Sequence, residues 1–162
     1  MAPTKQRVLF VCLGNICRSP TAEGVFRKLV EDAGLSHAFE VDSCGTGGWH
    51  AGELAHPETR KTALARGMVL THRARQLKYS DFEEFDVLLA MDKKNLKEMS
   101  ELVMESEHRE KLHLFRDFDA SGRKGEEMPD PYYTGEFDLV FDLCERAGRG
   151  LLTHLTARGE GR

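Results

Sequence analysis

The sequence predicts an α/β fold: a single-domain, three-layer sandwich with a central, mostly parallel four-stranded sheet flanked by helices. Continuous apolar runs, which are typical of strands buried on both faces, alternate with amphipathic helical patterns. The 162 residues contain no repeat, low-complexity tract or linker, so we expect one domain with flexible tails at about 1–6 and 158–162. Hydrophobic residues make up 40% and charged residues 31%, the balance of a globular chain.

The first predicted strand and helix enclose a short loop. Residues 8–11 form a continuous apolar run, and residues 12–19 form a loop that contains glycine and asparagine. A helix follows, with Ser19 as its N-cap, Pro20 at the first helical position and Glu23 near the positive end of the helix dipole. Its buried face is predicted from apolar residues at helical spacing: Ala22, Val25, Phe26 and Leu29.

Strands and helices continue to alternate along the rest of the chain. In order, they are a strand at 39–44, a loop at 45–52, a helix at 57–66, a strand at 85–91, a helix from 93, a strand at 112–115, a loop at 117–130 and a helix from about 135. In such sheets ligands bind beyond the carboxyl ends of the strands. The loop that follows the first strand lies in that position.

Charge and cysteine content narrow the class of function. The net charge is −4, so no overall positive field favours nucleic acid or anionic membranes. Residues 1–7 are largely polar, and the apolar run after them is too short for a signal peptide or a membrane span. The four cysteines form no C-x-x-C pair and no disulfide framework. We therefore expect a cytoplasmic protein with reduced thiols and no nucleic-acid or membrane partner.

The loop at 12–19 has the chemistry of an anion site. Its backbone N–H groups and the helix N-terminus can hold a phosphate, and Gly14 and Asn15 tolerate the left-handed conformation that turns N–H groups inward. Arg18 adds a planar guanidinium suited to two phosphate oxygens. The thiol of Cys12 would lie in positive surroundings that favour the thiolate, and Ser19 could donate a hydrogen bond to it.

Three other interpretations of this loop can be compared with the sequence pattern. A buried cysteine at a strand end with a solvent-facing arginine would look the same, because C-x₅-R alone occurs often by chance. A P-loop nucleotide site is excluded, since the chain has no G-x₄-G-K-[ST] pattern. A zinc site at Cys12 and Cys17 has no matching second pair of ligands. We expect neither a metal nor a cofactor.

Two motifs resemble those of the low-molecular-weight protein tyrosine phosphatases. Residues 11–20 are similar to the signature loop of that family, and residues 130–133 to its general-acid loop. Shorter matches in the family's order extend the resemblance over nearly the whole chain, at residues 42–46, 48–50, 72–75 and 91–92. The resemblance implies hydrolysis of phosphotyrosine and aryl phosphate monoesters through a cysteinyl-phosphate intermediate.

The resemblance also implies a role for each catalytic residue. Cys12 is the nucleophile, Arg18 clamps the phosphate and stabilises the transition state, and Asp130 is the general acid and then the base. Without the cysteine loop, Asp130 would be better explained as a turn aspartate before proline. The residues expected to bind the substrate are Leu13, Gly14, Asn15, Ile16, Cys17, Ser19, Trp49 and Tyr132.

Two further groups of residues are assigned by the resemblance. Ser43 and His72 would support Asn15 in a strained turn, although a strand hydroxyl, a surface histidine and a turn residue are the simpler alternatives. Trp49 and Tyr132 would be the aromatic walls of a deep slot. Such a slot suits a phenyl ring and excludes the shorter phosphoserine.

Partners and regulation are expected from the same resemblance. Substrates would be phosphotyrosine proteins, which in bacterial relatives often belong to a tyrosine kinase system that controls exopolysaccharide. The protein would be a monomer or weak dimer. In relatives with the same cysteine pair, the two thiols form a reversible disulfide, so redox-sensitive activity through Cys12 and Cys17 is a further hypothesis. Their spacing also fits simple packing of the loop.

Three other functions stay open on the same scaffold. Protein arginine phosphatases resemble this loop but tend to carry threonine at the position of Ile16, whose bulk favours phosphotyrosine over a guanidinium. A thioredoxin-coupled arsenate reductase needs resolving cysteines, and only Cys44 and Cys144 remain. A non-catalytic phosphate-binding module would lack the nucleophile or the acid, and Cys12 and Asp130 are both present.

Overall fold

A four-stranded sheet forms the centre of the computed structural model, which describes residues 5–160 and side chains through residue 157. The strands are β1 (Gln6–Cys12), β2 (Phe39–Gly45), β3 (Val87–Ala90) and β4 (Leu112–Leu114). They lie in the order β2-β1-β3-β4, and each neighbouring pair is parallel. This confirms the α/β class and the four-stranded sheet predicted from the sequence.

Helices cover both faces of the sheet. They are α1 (Arg18–Asp32), α2 (Pro57–Ala65), α3 (Ser80–Glu84), α4 (Lys93–Leu102), α5 (Ser106–Arg109), α6 (Pro131–Thr134) and α7 (Phe137–Glu160). Two 3-10 turns lie at Ser36–Ala38 and Phe115–Phe118. Over residues 5–160, no helix is long and apolar enough to cross a membrane.

The apolar run in β1 is explained by two separate cores. Val8 and Phe10 point into the core beneath α1 and α7, whereas Leu9 and Val11 point into a second core on the opposite face. Phe10 packs edge to face against Phe26 of α1 and the ring of Phe115, with ring centroids 5.7 and 5.0 Å apart. Because both faces are buried, β1 is fixed in the sheet and its carboxyl end is a rigid starting point for the loop.

Several local predictions differ from the structure. Helix α1 begins at Arg18 with Cys17 at its N-cap and no side-chain cap, so the predicted N-cap role of Ser19 is wrong. Because α1 begins at Arg18, Glu23 lies beyond its first turn rather than at the positive end of the dipole, and its buried carboxylate contacts Ser43 and Arg27. Strand β3 starts at Val87, two residues later than predicted, because the Phe85 N–H still bonds to the Asp81 carbonyl of α3 and the chain bends at Asp86.

The chain ends are covered only in part. Of the predicted flexible tails, residues 1–4 and 161–162 lie outside the described residues. Gln6 belongs to β1 and donates a side-chain hydrogen bond to the Leu155 carbonyl, and residues 158–160 continue α7. The last helix therefore packs back onto the first strand of the sheet.

Helix α7 passes so close to the turn at Phe115–Phe118 that glycine is required at position 150. A Cβ atom on Gly150 would lie 1.7 Å from the Phe118 carbonyl oxygen. Alanine normally stabilises a helix interior by about 0.5–1 kcal/mol relative to glycine. We expect Gly150→Ala instead to lower the free energy of unfolding by about 1–3 kcal/mol, because the helix must move away from the backbone.

Urea unfolding measures this effect, with Gly148→Ala as the matched control. A Cβ atom on Gly148 would meet only side-chain atoms, the nearest being Leu29 Cδ1 at 2.9 Å, and these can shift. Equal free energies of unfolding for the two variants would show that the close approach at Gly150 is not a constraint.

Candidate active site

The loop between β1 and α1 surrounds a single sulfur atom. Cys12 ends β1 and is 3% exposed. The backbone N–H of Asn15 donates to its Sγ atom at 3.3 Å, and Ser19 Oγ lies 3.0 Å from it. Ser19 Oγ also accepts from the Asn15 side chain, so its own proton is available to Cys12 Sγ or to the Cys44 carbonyl. The Asn15 N–H and the Ser19 hydroxyl therefore both face the Cys12 sulfur.

Asn15 is the one described non-glycine residue with a positive φ, 57°. Its Nδ2 donates to Ser19 Oγ at 2.7 Å and to Ser43 Oγ at 3.1 Å. Its Oδ1 accepts from the Arg75 backbone N–H at 3.0 Å and lies 2.8 Å from His72 Nε2. The structure thus brings Asn15, Ser43 and His72 together as the sequence predicts, and buries Asn15 behind the loop.

A network of charged side chains lies behind this asparagine. Since an amide oxygen only accepts, His72 must donate through Nε2, and its Nδ1 lies 3.4 Å from both Glu23 Oε1 and Asp42 Oδ1. Burial raises the pKa of Glu23, while His72 and the hydrogen bond from Ser43 act in the opposite direction.

Among the described side chains, the group that could hold a metal ion consists of Glu23, Asp42 and His72. However, Arg27 contacts Glu23 at 3.0 Å, and Arg75 contacts Asp42 at 3.0 Å. The carboxylates therefore already have cationic partners. We assign Glu23, Asp42 and His72 to the network that supports the loop.

The buried ion pair of Arg75 and Asp81 completes this network. The two guanidinium Nη atoms contact the two carboxylate oxygens at 3.0 and 3.1 Å, and the Asp81 side chain is 1% exposed. Such a buried carboxylate is stable only when it is paired. Because the backbone N–H of Arg75 also donates to Asn15, the pair fixes the segment that holds the loop.

Arg18 is held rigidly at the start of α1. Its side chain is 4% exposed, and its Nη1 atom donates to Asp92 Oδ2 at 2.8 Å and to the Met128 carbonyl at 3.1 Å. Burial disfavours the charge, but the neighbouring Cys12, Asp92 and Asp130 outweigh it and raise the pKa of Arg18. The guanidinium is therefore a permanent, oriented cation beside the sulfur.

Asp130 lies on the other side of Arg18. It is the N-cap of α6, and its Oδ1 accepts from the Tyr132 backbone N–H at 3.1 Å. Its Oδ2 lies 3.6 Å from Arg18 Nη2. The cap thus uses one oxygen and leaves the other facing the site.

A cavity of about 270 Å³ opens over the loop. Its lining consists of Cys12, Leu13, Gly14, Ile16, Cys17, Arg18, Trp49, His50, Asp130, Tyr132 and Tyr133. Of the predicted catalytic and substrate-binding residues, only Asn15 and Ser19 do not line it, because their side chains support the sulfur from behind. Trp49 is 71% exposed and stands at the mouth of the cavity.

Sequence reasoning missed several residues of the site. His50 and Tyr133 also line the cavity, and Asp92 anchors Arg18 while capping α4 through the Asn95 backbone N–H. Asp92 follows the end of β3, so its position beyond the carboxyl end of a parallel strand was a usable signal. The network of Glu23, Asp42, Arg75 and Asp81 was also missed. Charged residues are usually exposed, and nothing in the sequence indicates that these four are buried or half-buried.

The four cysteines differ in their surroundings, and Cys12 and Cys17 are the two that line the cavity. Burial raises the pKa of the Cys17 thiol to about 12, and burial likewise raises the pKa of Cys44 and Cys144. These three thiols stay protonated at neutral pH. All four cysteines are free in the structure.

Comparison with known proteins gives consistent matches over almost the whole chain. A family model described as low molecular weight phosphotyrosine protein phosphatase matches residues 7–160. A low molecular weight protein-tyrosine-phosphatase of Streptomyces coelicolor is 45% identical over 159 residues, which cover 96% of this chain and 97% of that protein.

Two solved structures share the fold. A protein tyrosine phosphatase from Entamoeba histolytica with Hepes in the active site has a TM-score of 0.90 at 35% identity, covering 96% of this chain and 99% of that one. A drosophila arginine phosphatase has a TM-score of 0.84 at 30% identity, covering 91% and 96%.

The cysteine environments predict selective alkylation. At neutral pH we expect iodoacetamide to modify one thiol per folded chain, that of Cys12, because donors stabilise its thiolate while burial keeps the other three thiols protonated. Inorganic phosphate should slow the reaction by occupying the loop. Peptide mapping by mass spectrometry identifies the site, and a fully denatured sample is the control. Labelling of Cys17 at a comparable rate would contradict this assignment.

Proposed function

The chain belongs to the low molecular weight phosphotyrosine protein phosphatase family, whose members are phosphoric monoester hydrolases, and we propose that it cleaves phosphotyrosine and aryl phosphates through a cysteinyl-phosphate intermediate. One observation carries the proposal. A buried sulfur with donors aimed at it, a fixed guanidinium and a carboxylate line the same cavity, with Asp130 Oδ2 3.6 Å from Arg18 Nη2. These are the three groups that phosphoryl transfer to a cysteine requires.

In the first step, the thiolate of Cys12 attacks phosphorus and the bond to the phenolic oxygen breaks. Arg18 and the loop N–H groups hold the equatorial oxygens as charge develops on them. Asp130, protonated at Oδ2, gives its proton to the leaving oxygen, which would otherwise depart as a phenolate of pKa about 10. The products are the tyrosine side chain and a phosphorylated Cys12.

In the second step, water attacks the phosphorus of the cysteinyl-phosphate. Asp130, now ionised, takes a proton from the water, and the sulfur leaves as a thiolate. The hydroxyl of Ser19, 3.0 Å from Sγ, stabilises that thiolate as the bond breaks. Inorganic phosphate is released, and the enzyme returns to its starting protonation state.

The cavity supports an aromatic substrate. Trp49, Tyr132 and Tyr133 stand around its mouth, and the apolar side chains of Leu13 and Ile16 line its wall. A phenyl ring can bury apolar area against these groups. A phosphoserine is too short to reach past them to the sulfur.

Substrates and location follow from the mechanism. The substrates would be phosphotyrosine proteins, including those of a bacterial tyrosine kinase system, and the protein would act as a single domain, monomeric or weakly dimeric. A reaction that needs a free thiolate suits a reducing compartment, so we place the protein in the cytoplasm. A peroxide, itself reduced to water, would oxidise the Cys12 and Cys17 thiols to a disulfide, and this would stop turnover until a reductant restores both thiols.

The two rival reactions are less well supported. Similarity to a drosophila arginine phosphatase keeps phosphoarginine in consideration, yet Ile16 offers no hydroxyl for a guanidinium. Arsenate reduction would need a mobile resolving thiol, and Cys44 and Cys144 are buried in the two cores. Assays with a phosphotyrosine peptide, a phosphoarginine peptide and arsenate with thioredoxin separate the three activities.

Asp130→Asn tests the proposed proton donor. Asparagine keeps the N-cap of α6 but has no proton to give, so kcat/KM for phenyl phosphate should fall by about 10²–10⁴. Nitrophenyl phosphate, whose leaving group needs little protonation, should lose much less. The measurement is kcat/KM over a series of ring-substituted aryl phosphates, because this parameter covers the steps up to release of the phenol.

Asp138→Asn is the matched control for this series. Asp138 is an exposed carboxylate in the first turn of α7, paired with Arg66, and its loss should leave all the rates unchanged. A fall of equal size for every leaving group in Asp130→Asn would mean that the residue is not the acid.

A further inference from the structure

His56 connects two parts of the site that are far apart in the sequence. It is the N-cap of α2, where its Nδ1 accepts from the Glu58 backbone N–H at 3.0 Å. Its own backbone N–H donates to the Ile16 carbonyl in the loop at 2.8 Å. The side chain of His56 is therefore bonded to the helix, and its backbone is bonded to the loop that surrounds the sulfur.

The half-buried imidazole ring of His56 contacts Tyr132, which lines the cavity. It meets Tyr132 edge to face, with ring centroids 6.2 Å apart and planes at 88°. It also lies against Phe137, the first residue of α7, at 5.2 Å and 32°. The ring thus fills the angle between α6 and α7.

This contact matters because α6 has only one turn. A helix of four residues is not stable by itself, so its position depends on what it touches. Tyr132 is 58% exposed, and its other aromatic contact is Tyr133 of the same turn, at 5.2 Å. Contact with the neighbouring residue cannot fix the turn relative to the loop, whereas contact with His56 can.

We propose that His56 is a positioning residue that sets the width of the aromatic slot. Its backbone bonds to the loop side through Ile16, and its ring contacts Tyr132, so this one residue links the two sides of the slot. The enzyme's preference for an aryl phosphate over bare phosphate then depends on this ring. The inference rests on the proposed function, since it concerns binding of the substrate's phenyl group.

Two substitutions distinguish the role of the His56 ring from its role as the N-cap of α2. His56→Asn keeps a side-chain acceptor for the Glu58 N–H but removes the ring, and asparagine is a good N-cap. His56→Phe keeps a ring against Tyr132 and Phe137 but removes the acceptor. The readouts are calorimetric dissociation constants for inorganic phosphate, which probes the loop alone, and for phenylphosphonate, which also probes the slot.

For His56→Asn we expect phenylphosphonate to bind about 2- to 10-fold more weakly, which corresponds to the loss of one aromatic pair, while phosphate binding changes less than about twofold. The melting temperature should stay close to that of the unmodified protein. For His56→Phe we expect both affinities to be kept and the melting temperature to fall by about 2–4 °C, as for the loss of one cap.

His154→Asn is the control for loss of a histidine–phenylalanine contact elsewhere. Its ring lies 5.3 Å from that of Phe118, and it does not line the cavity. Neither dissociation constant should change in this variant.

The inference is overturned if His56→Asn binds both ligands as tightly as the unmodified protein, or weakens both in equal proportion. It is also overturned if His56→Phe loses phenylphosphonate affinity as His56→Asn does, because capping would then be the cause. If the binding constants follow the expected pattern but the protein has no aryl phosphatase activity, the role of His56 in the slot is supported and the proposed function is rejected.

Discussion

The left-handed backbone at Asn15 is the constraint on which the rest of the site depends. A non-glycine residue in this region costs about 1–2 kcal/mol. Four hydrogen bonds hold it there, through Ser19, Ser43, Arg75 and His72, and each contributes about 0.5–1.5 kcal/mol. These hydrogen bonds therefore outweigh the strain. The left-handed conformation that they hold turns the Asn15 N–H towards the sulfur of Cys12.

The supports of this asparagine reach deep into the protein. They end in the ion pair of Arg75 with Asp81 of α3, and in Glu23 of α1, which contacts Ser43 of β2 and His72. On the opposite side, Arg18 is anchored by Asp92 from the end of β3. The loop is thus supported by charges taken from several elements, and the rigid end of β1 positions it. A preorganised site of this kind needs no rearrangement when negative charge develops at phosphorus.

The order of strands and helices and the Cys12 loop were predictable because they depend on local patterns. The apolar run at 8–11 indicates burial on two faces, and glycine with asparagine indicates a turn. The partners of several other polar side chains were not predictable. Ser19 could cap a helix or face a sulfur, and only the folded loop decides between them. Asp92 is 74 residues from Arg18, so no local pattern joins the two.

The most direct test of the account is detection of phosphate on the Cys12 sulfur. Asp130→Asn mixed with nitrophenyl phosphate should complete the first step, which needs little acid, and stall at the second, which lacks its base. Acid quenching within milliseconds, digestion and mass spectrometry locate the phosphate. We expect stoichiometric phosphate on Cys12 before free phosphate appears, and none on Cys17. Nitrophenol release with no phosphate on Cys12 at any time would contradict it.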